Sequence, residues 1–194
     1  MPPKVMSEKE RNEIKEKMFK KGLELIKKSG FSGMSVSKIT KAAGLGKSTF
    51  YNYFESKETF VVELIEFGHI RFWMEIEKLK GENGKISTDN MKYILRQIVF
   101  NEDSIYQYLS TEEEKGIIEA VPEKQKPDIR EETAILKKLF DKAEGIREDI
   151  DYAVVSNILK IIAISVQNRN YLHETGFDKT IGDLYELLYK EVFV

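Results

Sequence analysis

In the stretch Ala42–Glu58, "AAGLGKSTFYNYFESKE", four aromatic residues fall within five positions: Phe50, Tyr51, Tyr53 and Phe54. Lys47 lies on one side of them and Lys57 on the other. At about 100° per residue, a helix starting at Lys47 sets Phe50 and Phe54 on one face and Ser48 and Asn52 almost opposite. Thr49 and Tyr51 flank that polar pair, with Lys47 and Tyr53 toward the margins. Two rings are therefore expected in the core, and two as projecting, hydroxyl-bearing tips. Hydroxyls and ammonium groups donate to phosphate oxygens and fix register on a duplex. An asparagine can pair with an adenine edge or a phosphate. Lys47 in a first turn opposes the helix dipole by about 0.3–1 kcal/mol, which makes sense where an anion arrives. Each residue alone is ordinary solvated surface; together, on one short helix after a tight turn, they point to nucleic acid.

Apolar residues recur at helical spacing almost throughout, no alternating pattern of strands occurs, and no proline lies between Lys4 and Val121. The chain reads as all-α, without internal repeats. Ser7 with Glu10 forms a capping-box pattern opening a first helix, whose stripe Ile14, Met18, Gly22, Leu25 and Ile26 ends at Gly30. Ser35 caps a short second helix carrying Val36, Ile39 and Ala43 inward, stopped at Gly44. The turn Gly44-Leu45-Gly46 leads to the third, from Lys47 to about Tyr53. Two short helices joined by a glycine-containing turn form a helix-turn-helix pattern, whose second helix enters the major groove. Ser56 caps a long fourth helix reaching about Leu79, and five more are expected at 88–101, 103–120, 128–144, 149–170 and 178–192.

The bulk numbers agree with a DNA-binding head. Of 31 Lys and Arg and 33 Asp and Glu, residues 1–60 hold 13 and 7, a balance of +6; the remainder holds 18 and 26, or −8. A basic head on an acidic body suits contact with a polyanion by the head alone, although surface charge distributed by chance gives the same count. With no cysteine, disulfide and thiolate chemistry are excluded. No apolar run approaches the roughly 20 residues of a membrane span, and no signal peptide opens the chain, so a cytoplasmic protein without membrane contact is expected.

The segment "GMSVSKITKAAGLGKSTFYNYFESKETFVVELIE" resembles the DNA-binding signature of the tetracycline-repressor (TetR/AcrR) family of bacterial transcription regulators. Ser35, Val36, Ile39, Ala43, Gly44, Lys47, Thr49, Phe50, Tyr51, Tyr53, Phe54, Ser56, Lys57 and Glu58 carry the likeness, which covers about residues 10–65. The resemblance implies a helix-turn-helix domain over 1–60, with the motif at about 35–54. It also implies a ligand-binding, dimerising helical domain over 61–194, an operator-binding homodimer, and a small-molecule effector with no cofactor and no metal. By position, Thr49, Tyr51, Tyr53 and Lys57 fall where the family contacts backbone, Lys47, Ser48 and Asn52 where it reaches toward bases, and Ser37 where its second helix touches the duplex. Two departures stand out. Gly46 replaces the usual capping serine, at a few tenths of a kcal/mol, and Thr40 stands where alanine is usual, in position to hydrogen-bond back to a carbonyl.

On that reading the fourth helix is a lever from the DNA-contacting Lys57 into the body, and its Phe67, His69, Phe72, Trp73 and Met74 are candidates to line a ligand pocket; ordinary core packing is the competing reading. The last two helices are apolar on more than one face, so Leu159, Ile162, Val166, Leu184 and Leu188 are expected at a homodimer interface, unless both helices sit deep in one bundle. Dimeric pairing would hold two recognition helices roughly 34–36 Å apart. An enzyme is disfavoured: His69 and His173 stand 104 positions apart, without an HExxH or phosphate-binding glycine motif, and the carboxylates of "TEEEKGIIE" read as a solvated face. The remaining alternatives are a regulator that answers to no small ligand and a protein-interaction module with a vestigial helix-turn-helix.

Overall fold

The computed structural model describes residues 7–101, 103–126 and 131–194. Among them the regular structure is helical, with isolated β-bridges only (Lys80–Ile86, Ile86–Ala143 and Ile146–Phe193). The chain folds as two compact units. One holds the described residues up to Phe72 and those from 103 to 126; the other holds Trp73–Asn101 and the described residues from 131 to Val194. The boundary expected at residue 60 is not where the units divide, because 61–72 and the segment beyond 102 pack with the helix-turn-helix.

In the first unit, α1 (Glu8–Gly33) starts as its sequence dictates: Ser7 Oγ accepts from Glu10 N–H at 3.2 Å, and Glu10 Oε2 accepts from Ser7 N–H at 2.8 Å. Gly30 bends it with φ 65°, but one more turn follows before Met34. α2 (Val36–Ala43) is capped by Ser35 and ended by Gly44, whose φ of 64° is a conformation open to glycine. α3 (Lys47–Tyr51) is only five residues long. α4 (Lys57–Lys78) starts where Ser56 Oγ accepts from Thr59 N–H at 3.0 Å.

A knot of rings holds these helices together. Phe54 lies 4.9 Å from Phe60, 5.1 Å from Phe50 and 5.7 Å from Phe19, each pair separated by ring centroids. All four rings are buried. The expected helix 103–120 is instead a 3-10 turn, Ile105–Tyr108, followed by α6 (Thr111–Ala120). Ser110 accepts from Glu113 N–H and so restarts the helix with its own capping box. Ile105, Ile117 and Val121 join the same core.

The second unit contains α5 (Thr88–Phe100), α7 (Glu131–Phe140), α8 (Tyr152–Gln167) and α9 (Glu174–Val192), with the end of α4. α7 is shorter than the expected 128–144, of which 128–130 lie outside the described residues. α8 starts at Tyr152 rather than 149, because Asp151 caps it by accepting from Ala153 N–H and Val154 N–H at 2.9 and 3.1 Å. α9 starts one turn earlier than the expected 178. Its Tyr185, Leu188 and Val192 are buried, as are Met91 and Leu95 of α5 and Val155 and Ile162 of α8, and α8 lies against both α5 and α9.

Candidate nucleic-acid interface

Burial of Phe50 and Phe54 leaves α3 little choice of orientation. Lys47, Ser48 and Asn52 are exposed, Thr49 is half-buried, and Tyr51 is 57% exposed with its ring edge-on to Phe50 at 5.5 Å. Asn52 closes the helix, its N–H donating to the carbonyls of Ser48 and Thr49 at 3.1 and 3.2 Å. The side chains of Ser48 and Asn52 make no hydrogen bond among the described residues, so their donors and acceptors remain available. Ser37 stands exposed on α2. Lys47, Ser48, Tyr51 and Asn52 thus share one solvated polar face.

Two expected contacts are placed differently. Tyr53 lies beyond the end of α3, with its ring half-buried 6.1 Å from Phe54 and the Arg11 guanidinium 5.6 Å from its centroid. Its hydroxyl is out of water and finds no partner among the described residues, so it is not the projecting tip that a continuous helix implied. Lys57 is half-buried, with Nζ 3.6 Å from the Phe31 ring centroid and donating to the Phe31 carbonyl at 3.3 Å. Lys38, which the sequence reading did not single out, donates to the Gly33 carbonyl at 2.6 Å.

The two departures from the family pattern have clear local consequences. Gly46 caps α3 without a side-chain hydrogen bond. Thr40 is buried and donates its hydroxyl to the Val36 carbonyl at 2.9 Å, which satisfies it within its own helix.

The candidates for ligand and partner contact also sort themselves. Phe67 is half-buried and packs on the first unit's core, 5.1 Å from Phe19. Phe72 belongs to the same unit and is half-buried. Trp73, in the second unit, lies under the ammonium groups of Lys138 and Lys142 at 4.8 and 5.8 Å. His69 stands in solvent, 3.8 Å from Glu66, which corrects its placement as a cavity wall. Leu159, Ile162 and Leu188 are buried inside the second unit's own core, so they cannot meet a partner; Val166 and Leu184 are half-buried. Val154, Ile161, Ile164 and Leu187 are the apolar side chains that α8 and α9 leave exposed. Among the described residues, no three His, Asp or Glu side chains cluster as a metal site, and no helix is long and apolar enough to cross a membrane.

Residues 19–64, which span this surface, match the family model described as "Bacterial regulatory proteins, tetR family". Over 85 residues the chain is 35% identical to the uncharacterized HTH-type transcriptional regulator YdgC of Bacillus subtilis, covering 44% of this chain and 42% of that one. Over 68 residues it is 32% identical to the HTH-type transcriptional repressor NemR of Escherichia coli K12, covering 35% and 34%. The matches thus span less than half the length of these relatives. Likeness of fold extends further. A solved structure concerned with control of antibiotic production by bacterial hormones aligns over 97% of this chain and 100% of its own, at 16% identity and a TM-score of 0.65. The fatty acid degradation regulator FadR from Bacillus halodurans aligns over 95% and 96%, at 18% identity and a TM-score of 0.54. Residues 19–64 thus carry the amino-terminal domain of the tetR family of bacterial regulatory proteins, and the chain as a whole shares the all-α fold of these solved structures.

Proposed function

We propose that this protein is a sequence-specific DNA-binding transcriptional regulator: a homodimeric repressor released from a palindromic operator by a small-molecule effector. The observation that carries the reading is the polar face of α3. Burial of Phe50 and Phe54 forces Lys47, Ser48, Tyr51 and Asn52 outward with their hydrogen-bonding groups uncommitted. Such a set suits a duplex, with Tyr51 and Lys47 on backbone and Ser48 and Asn52 on base edges. Repression is supported by the description of NemR as a repressor. The second unit is proposed to receive the effector, with half-buried Trp73 among its contacts.

The test is selection of bound fragments from a random duplex pool, followed by sequencing. A two-fold symmetric sequence with half-sites about one helical turn apart is expected, with affinity falling steeply as salt rises. Enrichment of no symmetric sequence, or retention indifferent to salt, overturns the reading.

A further inference from the structure

Side chains from three elements converge on the short turn that ends α1. Gly30 interrupts the helix there, and the groups just beyond it depend on partners from elsewhere. The Phe31 carbonyl accepts from Lys57 of α4, whose ammonium also lies over the Phe31 ring. The Gly33 carbonyl accepts from Lys38 of α2. Between them, the N–H and hydroxyl of Ser32 both donate to Oε1 of Glu113, which lies on α6 and 81 positions away in sequence. The other carboxylate oxygen, Oε2, accepts from Ser110 N–H at 3.0 Å and closes the capping box of α6. One carboxylate therefore secures the first turn of α6 and the last turn of α1 together.

We propose that Glu113 is a positioning residue for DNA binding: through Ser32 it fixes the turn on which Lys38 and Lys57 are seated, and so holds the starts of α2 and α4 in register with the duplex backbone. The inference rests on the DNA-binding reading above. A capping box needs only Ser110 and Glu113, so the reach to Ser32 is additional to what α6 requires for its own start. The two lysines lie next to residues placed at the interface, Lys38 beside Ser37 and Lys57 at the head of α4. A turn free to shift would carry both ammonium groups with it.

The experiment compares Ser32→Ala, Glu113→Ala and Ser110→Ala in the full chain. Binding to a fluorescein-labelled random-sequence duplex is followed by anisotropy across a salt series, alongside urea unfolding. Ser32→Ala and Glu113→Ala are expected to lower affinity about two- to tenfold, and Ser32→Ala to add nothing further once Lys38→Ala and Lys57→Ala are both present. Ser110→Ala is expected to lower the urea midpoint and leave affinity unchanged. Wild-type affinity in both Ser32→Ala and Glu113→Ala overturns the inference while leaving the DNA-binding reading intact. So does an equal loss in Ser110→Ala, which would assign the effect to folding of α6. A wild-type chain that ignores duplex at low salt overturns both.

Discussion

Tyr51 and Tyr53, two positions apart, are predicted to behave in opposite ways because one ring stands in water and the other has its hydroxyl shut away. Tyr51→Ala should weaken binding to operator and random duplex alike while leaving the salt slope unchanged, the mark of a lost uncharged contact to phosphate, whereas Lys47→Ala should reduce that slope by about 1. Asn52→Ala should instead relax base preference at one position, by about 1–3 kcal/mol in competition between duplex sequences. If none of these substitutions alters DNA retention, α3 is not the reading element. The Tyr53 hydroxyl, dehydrated and unpartnered among the described residues, costs stability in the free protein. Tyr53→Phe should therefore raise the urea stability by up to about 1 kcal/mol; a lower stability would mean that the hydroxyl has a partner. The inward turn of Phe50 and Phe54 was legible in the sequence, since a helical period of 100° places them together. The burial of Tyr53 was not, because α3 stops at Tyr51 and a helical wheel has no authority beyond the last helical residue.

Among the elements, α1 carries the sharpest steric constraint. A Cβ added at Gly22 would lie 2.5 Å from the Phe60 ring, which is itself wholly buried among Phe19, Phe50 and Phe54. With no room for the ring to move, Gly22→Ala should destabilise by about 1–3 kcal/mol, against the usual gain of alanine in a helix; an unchanged urea midpoint would contradict that packing. The end of α4 is tied by charge instead. Glu77 is held down to about 2 from its ordinary 4.5, first by its hydrogen bond from Lys142 beyond α7 and then by the one from Lys80. A carboxylate depressed in this way supports the fold above pH 4.5, and that support fades as pH falls through about 2. Lys142→Met should move the Glu77 midpoint upward in a carboxyl-carbon NMR titration, and no movement would mean that the pair is not formed in solution. Sequence signals read these boundaries unevenly. Ser7, Ser35 and Ser56 announced their helices through capping patterns, whereas Ile105 and Leu109 continued an apolar rhythm across the break that Ser110 makes. The Ser110–Glu113 signature was present, but its carboxylate's second bond, to Ser32, depends on packing that no local pattern encodes.

At the scale of the whole molecule, the proposed function requires two copies, and the apolar surface of α8 and α9 is where the second is expected. Helical periodicity showed that these helices are apolar on more than one side, but could not say which side the chain covers by itself. The structure buries Leu159, Ile162 and Leu188, leaving Ile161, Ile164 and Leu187 at 51%, 58% and 45% exposure. The two sets make separable predictions. Ile164→Asp places a charge where the isolated chain already meets water, so its subunit should keep its helical circular dichroism and a cooperative urea transition, as surface substitutions usually do. In a dimer that same charge must be buried opposite apolar surface, which is strongly unfavourable. Light scattering after size exclusion should then show a monomer where the parent is a dimer, and cooperative binding to a two-half-site duplex should be lost. Leu188→Asp should behave differently, losing the fold itself, because its charge would enter the core of its own subunit. A variant at Ile164 that remains dimeric would move the interface elsewhere. A monomeric parent would remove the two-fold symmetry on which a palindromic operator depends.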